Sequence, residues 1–252
     1  MSSASTHRVA IVTGAAQGIG KAIALRLASD GLAVALNDLP EKRSTLDEIA
    51  RAIKEGGGRA VVLTGDVSQE KDVQALVDGT VEALGSLHVM VANAGVGGPG
   101  PFLEESLESF NRHMAVDAAG VFLCYQLAAR KMIELEHHEG RLIGAASLGA
   151  KQALAGLTSY TAAKFAVRGL TQSAALACGK YGITANAYAP VNPDAFERLT
   201  GMGEEWTKGL PIGRIGQPED VTALVSFLAS KESSYITGAH HLLQPCSVDL
   251  RL

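Results

Sequence analysis

Only three cysteines occur in the 252 residues, Cys124, Cys178 and Cys246, and they are odd in number and far apart. They have neither metal-ligand nor redox-pair spacing, so a reducing, cytoplasmic location is the expectation. Basic runs are also missing and the net charge is −4, which argues against nucleic acid or an anionic membrane as the main partner. No apolar run reaches the ~18 residues of a membrane-spanning helix. Residues 1–7 are polar with no apolar centre, so no secretory signal is read there. There is no internal repeat, no low-complexity tract and no linker that would divide the chain.

What is present is a hydrophobic content of 47%, enough for a sizeable core, and an alternation of strand-like and helix-like runs. Strands are expected near 8–13, 32–37, 59–64, 87–92, 140–146, 183–189 and 240–244. Helices are expected near 18–30, 41–56, 69–84, 106–137, 159–181 and 217–230. This alternation implies one doubly wound α/β domain over 1–252, with a mainly parallel seven-stranded sheet covered by helices on both faces. Ligands bind such sheets beyond the carboxyl ends of the strands. The Gly/Pro-rich stretch Gly95–Pro101 is therefore read as a pocket rim.

The first strand runs into Gly14-Ala15-Ala16-Gln17-Gly18-Ile19-Gly20, and an amphipathic helix comes next with Ile23, Leu25 and Leu27. Glycines permit a tight turn, and the helix start offers free N–H groups to a pyrophosphate. The second strand ends in Asp38, whose carboxylate can accept from both ribose hydroxyls and repel a 2′-phosphate. The competing reading of Asp38 is a cap for the helix near Glu41.

Tyr160 and Lys164 are four residues apart on one helix face, and Ser147 precedes the tyrosine at the end of an apolar run. An ammonium beside a phenol favours the phenolate and so makes it a usable proton-transfer group. Ser147 can hold a substrate oxygen against it. The adjacent pairs His137-His138 and His240-His241 diverge on helix or strand and make no natural chelate, and His137-His138 reads as solvated surface. Cys124 and Tyr125 read as packed rather than reactive. Phe196 and Trp206 suit either core or pocket lining.

With these motifs in place, the chain resembles the short-chain dehydrogenases/reductases over nearly its full length. The Thr-Gly-x-x-x-Gly-x-Gly turn, Asp66-Val67, Asn93-Ala94-Gly95, Ser147, Tyr160 and Lys164 occur in that family's order. The resemblance implies a Rossmann-type fold that binds a dinucleotide through Gly14, Gln17, Gly18, Ile19, Gly20, Asp38, Asp66, Val67, Asn93, Ala94, Gly95, Tyr160, Lys164 and Pro190. It further implies that Ser147, Tyr160 and Lys164 are catalytic, with Asp117 where relatives carry an Asn that leads a water chain to the lysine. Asp38, and Gln17 where NADP-preferring relatives often have a basic residue, imply NAD. Stretches from Lys164 to Gln172 and from Gly213 to Val221 are similar to diacetyl/acetoin reductases and butanediol dehydrogenases.

Departures accompany the matches. Asp117 loses the amide donor, Pro193 and Ala195 alter the turn after Pro190, and Gln244-Pro245-Cys246 replaces an expected Asp-Gly-Gly. The region 191–212 corresponds to the family's substrate-covering loop. The expected function is interconversion of a secondary alcohol and a ketone, with Leu148, Gln152, Leu154 and Leu157 suiting an apolar, terpenoid or steroid-like substrate. Acetoin/diacetyl reduction is the alternative, and a nucleotide-binding scaffold with weak catalysis is the alternative of another class. Relatives pair through the helices corresponding to 106–137 and 159–181, which implies a homodimer or homotetramer.

Overall fold

The computed structural model describes residues 7–190, 214 and 216–243. The sequence expectations at Pro193, Ala195, Phe196, Trp206 and Gln244-Pro245-Cys246, and the substrate-covering loop, lie outside the described residues.

Seven parallel strands form one sheet in the order β3-β2-β1-β4-β5-β6-β7. They are β1 (Val9–Thr13), β2 (Ala33–Asn37), β3 (Ala60–Val62), β4 (Val89–Ala92), β5 (Arg141–Ala145), β6 (Thr184–Pro190) and β7 (His240–Leu243). The expectation of a mainly parallel sheet is met by a wholly parallel one. Strands β1, β2, β4 and β5 are buried along their whole length, so each is an apolar run without alternation.

Helices cover both faces. Alternate residues Ile11, Ala35, Met90 and Leu142 pack under α3 (Glu70–Leu84), α5 (Gly120–Glu134) and α6 (Thr158–Cys178). Their neighbours Ala10, Val34, Val89 and Ile143 pack under α1 (Gly18–Ser29), α2 (Arg43–Glu55) and α7 (Pro218–Ala229). Strand order reverses between β1 and β4, which opens a crevice where their carboxyl-end loops part.

Two local expectations change. The helix expected over 106–137 is α4 (Leu107–His113), a π-helical turn at Met114–Ala119, and then α5. The helix expected from Glu41 begins as a 3₁₀ turn, Pro40–Lys42, before α2. Proline suits the first position of that turn, because its missing N–H would be unsatisfied there anyway. Asp38 caps neither piece, for the cap positions are Leu39 and Lys42.

Candidate active site

A cleft of about 930 Å³ opens at the strand-order reversal. Its wall includes Gly14, Gln17, Gly18, Ile19, Gly20, Asp38, Asp66, Val67, Asn93, Ala94, Gly95 and Pro190. The glycine turn is held by close backbone approach. Gly14 has φ +65°, and a Cβ on Gly20 would stand 2.1 Å from Gly14 O and 2.5 Å from Asn93 Nδ2. Asn93 ties the turn to β4: its amide donates to Thr13 O at 2.9 Å, and Tyr188 donates its hydroxyl to Asn93 Oδ1 at 2.7 Å.

The residues fit a dinucleotide. Gln17, the N-cap of α1, makes no side-chain capping bond, and the first turn carries no acidic residue, so its N–H groups suit a pyrophosphate. Asp38 stands at the cleft edge with Oδ2 accepting Ala16 N–H at 3.0 Å and Oδ1 accepting Leu39 N–H at 2.9 Å. Asp66 turns the chain after β3 by accepting Ser68 N–H at 2.9 Å, and Val67 packs beside Gly120. Lys42 ends the 3₁₀ turn and Arg43 pairs with Asp47 at 3.6 Å on α2.

Tyr160 and Lys164 lie outside the cleft wall, on the first turns of α6. Ser147 follows β5 and uses its Oγ to accept Gly149 N–H at 3.2 Å. A Cβ at Gly149 would lie 3.7 Å from Ser147 Oγ and 3.6 Å from the Tyr160 ring, so both side chains face one small space. The Lys164 ammonium is 5.4 Å from the Tyr160 ring centroid. It donates to Ala145 O at 3.0 Å and pairs with Asp117 Oδ1 at 3.0 Å.

Asp117 is fully buried and Lys164 nearly so. Asp117 Oδ1 has no aligned hydrogen bond among the described residues, so charge carries the contact, while Oδ2 accepts Val96 N–H at 3.4 Å. Burial is the largest influence on Lys164 and opposes its charge. Asp117 and then Tyr160 outweigh burial and hold the ammonium above its ordinary range. Gly95 makes room for the pair, because a Cβ there would stand 2.6 Å from Asp117 Oδ1 and 3.5 Å from Lys164 Nζ.

Of the remaining expectations, Leu148 and Leu157 are buried and Gln152 and Leu154 partly so, while Cys124 and Tyr125 sit in the core. His137 is not solvated surface: it stacks on His88 with ring centroids 4.3 Å apart, and its Nε2 meets Ser86 Oγ at 2.6 Å. Sequence reasoning missed Tyr188, Arg112 and the rim pair Arg214–Asp220, whose two hydrogen bonds measure 2.6 and 2.7 Å. Tyr188 lies far in sequence from Asn93, which it meets, and no local spacing announces that contact.

The family model described as enoyl-(acyl carrier protein) reductase matches residues 14–244. A short-chain dehydrogenase/reductase of Armillaria gallica is 46% identical, with 94% of each chain covered. The L-2,3-butanediol dehydrogenase of Corynebacterium glutamicum is 39% identical over 92% of this chain and 95% of that one. The structure of an NAD⁺-bound xylitol dehydrogenase superposes with a TM-score of 0.88 at 28% identity, covering 96% of this chain and all of that one. Alike in sequence and in fold, the chain belongs to the short-chain dehydrogenase/reductase family and is an oxidoreductase acting on alcohols and ketones with a nicotinamide dinucleotide.

Proposed function

We propose that the protein interconverts an apolar secondary alcohol and its ketone using NAD(H), with Tyr160 moving the proton. The observation that carries this reading is the Lys164 ammonium, fixed by Asp117 and Ala145 O beside Tyr160, with Ser147 across the same small space. When bound, the nicotinamide accepts or returns the hydride. In oxidation, the Tyr160 phenolate oxygen takes the proton from the alcohol hydroxyl, and in reduction the Tyr160 hydroxyl returns it to the ketone oxygen. Ser147 Oγ–H bonds that oxygen and stabilises the charge that develops on it. Lys164 directs one ammonium hydrogen to Ala145 O and is held by the charge of Asp117, so hydrogens remain for the nicotinamide ribose.

The mainly apolar character of Leu148, Gln152, Leu154 and Leu157 supports a hydrophobic hydroxy compound of the terpenoid or steroid-like kind. Two relatives bear on this. One is named cis-4-hydroxycyclohexanecarboxylate dehydrogenase (Sinomonas cyclohexanicum, 38% identical), which supports a ring alcohol. The butanediol dehydrogenase likeness supports the second reading, an acetoin/diacetyl reductase. NADH formation is measured across substituted cyclohexanols, hydroxysteroids, terpene alcohols and 2,3-butanediol. Fastest turnover on a cyclic alcohol favours the first reading, and on butanediol the second. Tyr160→Phe is expected to lower kcat by about 10³-fold or more while NADH affinity stays within about twofold. Wild-type turnover in that variant would refute the proton role.

The Asp38 carboxylate supports NAD over NADP, since a 2′-phosphate brought beside it would meet like charge. Titration of both reduced cofactors is expected to show tighter NADH binding, and Asp38→Ala to narrow the difference. Tighter NADPH binding by the wild type would overturn the assignment.

A further inference from the structure

The loop that leaves β4 is clamped onto the start of α6 by a group of contacts between distant residues. Gly100 N–H donates to Gly156 O at 2.7 Å, and Thr158 N–H donates to Gly100 O at 3.0 Å. Beside them, Glu105 Oε2 accepts the Ser159 N–H at 3.1 Å. Glu105 Oε1 accepts the Ser159 hydroxyl, and the Ser109 hydroxyl at 3.1 Å. The Ser159 hydroxyl is the largest cause holding the Glu105 carboxyl below its ordinary range.

Behind Ser159 stands His113, whose Nδ1 is 3.0 Å from Ser159 Oγ and 2.9 Å from Ser109 O. A carbonyl can only accept, so Nδ1 carries the hydrogen, and Nε2 is buried without a partner among the described residues. A Cβ on Gly100 would stand 2.5 Å from Glu105 Oε1, so the rim admits the carboxylate because residue 100 has no side chain.

Helix α6 needs this carboxylate. Its N-cap residue, Leu157, makes no side-chain capping bond, and the Ser159 N–H has no partner within the helix. Glu105, 54 residues earlier, accepts it instead and puts negative charge at the positive end of the helix dipole. The next residue is Tyr160. The same loop carries Gly95, which abuts the Asp117–Lys164 pair.

We propose that Glu105 is a positioning residue for the reaction: it fixes the first turn of α6, and so the Tyr160 hydroxyl, against the loop that walls the cofactor cleft. This inference rests on the reading that Tyr160 moves the proton. Small displacements of a reacting group are costly, with about 1 Å able to lower a rate about 100-fold. A loosened first turn therefore slows chemistry without emptying the cofactor cleft.

Glu105→Ala and Glu105→Gln are compared with wild type in oxidation of the alcohol that turns over fastest with NAD⁺. Glu105→Ala is expected to lower kcat about tenfold, with the NADH dissociation constant within about twofold of wild type. The primary deuterium isotope effect on kcat should rise, because the hydride step then limits turnover more than product release does. Glu105→Gln keeps an oxygen that accepts Ser159 N–H and should restore about half of the rate or more. Wild-type kcat in Glu105→Ala overturns the proposal. A loss of activity that tracks the unfolded fraction and leaves the isotope effect unchanged also overturns it. Tyr160→Phe, assayed in parallel, tests the underlying reading by itself: full activity there refutes the proton role independently of Glu105.

Discussion

Asp117 and Lys164 form a buried pair of opposite charges, and removal of one partner leaves the other uncompensated. Breaking such a pair typically costs about 3 kcal/mol or more. Asp117→Asn retains an oxygen for Val96 N–H but not the charge, so it should fold with lower stability. Because the Lys164 ammonium is held above its ordinary value, its contribution is fully present below the unfolded lysine value and is lost as pH rises through the folded one. Chemical denaturation near neutral pH and above pH ~10.5 should therefore show wild-type stability converging on that of Asp117→Asn as alkalinity increases. Equal stability of the two proteins at pH ~7 would show that the pair contributes nothing. The same substitution tests turnover, because it removes the negative charge beside the Lys164 ammonium that acts on Tyr160. If proton transfer limits the rate, Asp117→Asn preserves or raises kcat in alcohol oxidation, and a large fall in kcat would place Asp117 on the proton route itself.

Elements, rather than single residues, decide which side chains meet. A π-helical turn holds one extra residue per hydrogen-bonded loop and re-aims the helix beyond it. The turn at Met114–Ala119 interrupts a stretch whose apolar spacing reads as one long helix, and Asp117 lies within it. The amino-terminal end of the central strands holds a different arrangement. His88, just before β4, accepts Val9 N–H on Nδ1 at 3.1 Å and stacks on His137. Burial, then the charges of His137 and Arg8, push His88 down to about 4. An unfolded chain takes up the proton near pH ~6.5, so between there and pH ~4 it binds more protons than the folded one and stability falls with acidity. The full linkage would be about 3 kcal/mol, which solvent at this half-buried site reduces to about 1–2 kcal/mol. Urea midpoints measured from pH 7 to pH 4 should fall more steeply in wild type than in His88→Gln. Identical slopes would remove His88 from the account.

At the scale of the whole molecule, the apolar surface of α5 and α6 is unevenly covered. Leu127 and Val167 are buried against this chain's own sheet. Phe122 and Phe165 are each 41% exposed and Leu176 is 88% exposed, which leaves an outward apolar stripe on these helices. Such a stripe favours a second copy of the chain on these helices. Light scattering at micromolar concentration should give at least a dimer mass, and Phe165→Glu should shift it toward monomer. A monomeric wild type would sink the expectation. Of the localisation expectation, the described helices show that none is long and apolar enough to cross a membrane.

Much of this was legible in the amino-acid order because it is local. Runs of β-branched residues made strands, Gly14 and Gly20 made a turn that admits no side chain at the second position, and a spacing of four set Lys164 one helical turn from Tyr160. Those periodicities depend on neighbours along the chain, and the order of elements then left little choice but a doubly wound sheet. Contacts across the fold were not legible. That Asp117 neutralises Lys164, that Tyr188 braces Asn93, that Glu105 caps α6 and that His137 stacks on His88 depend on residues separated by tens of positions. Such pairs have no characteristic spacing, because the sheet order and the way each helix packs on it set the distance between them. The candidate site residues were therefore readable from sequence, while their charge balance and alignment were decided by tertiary structure.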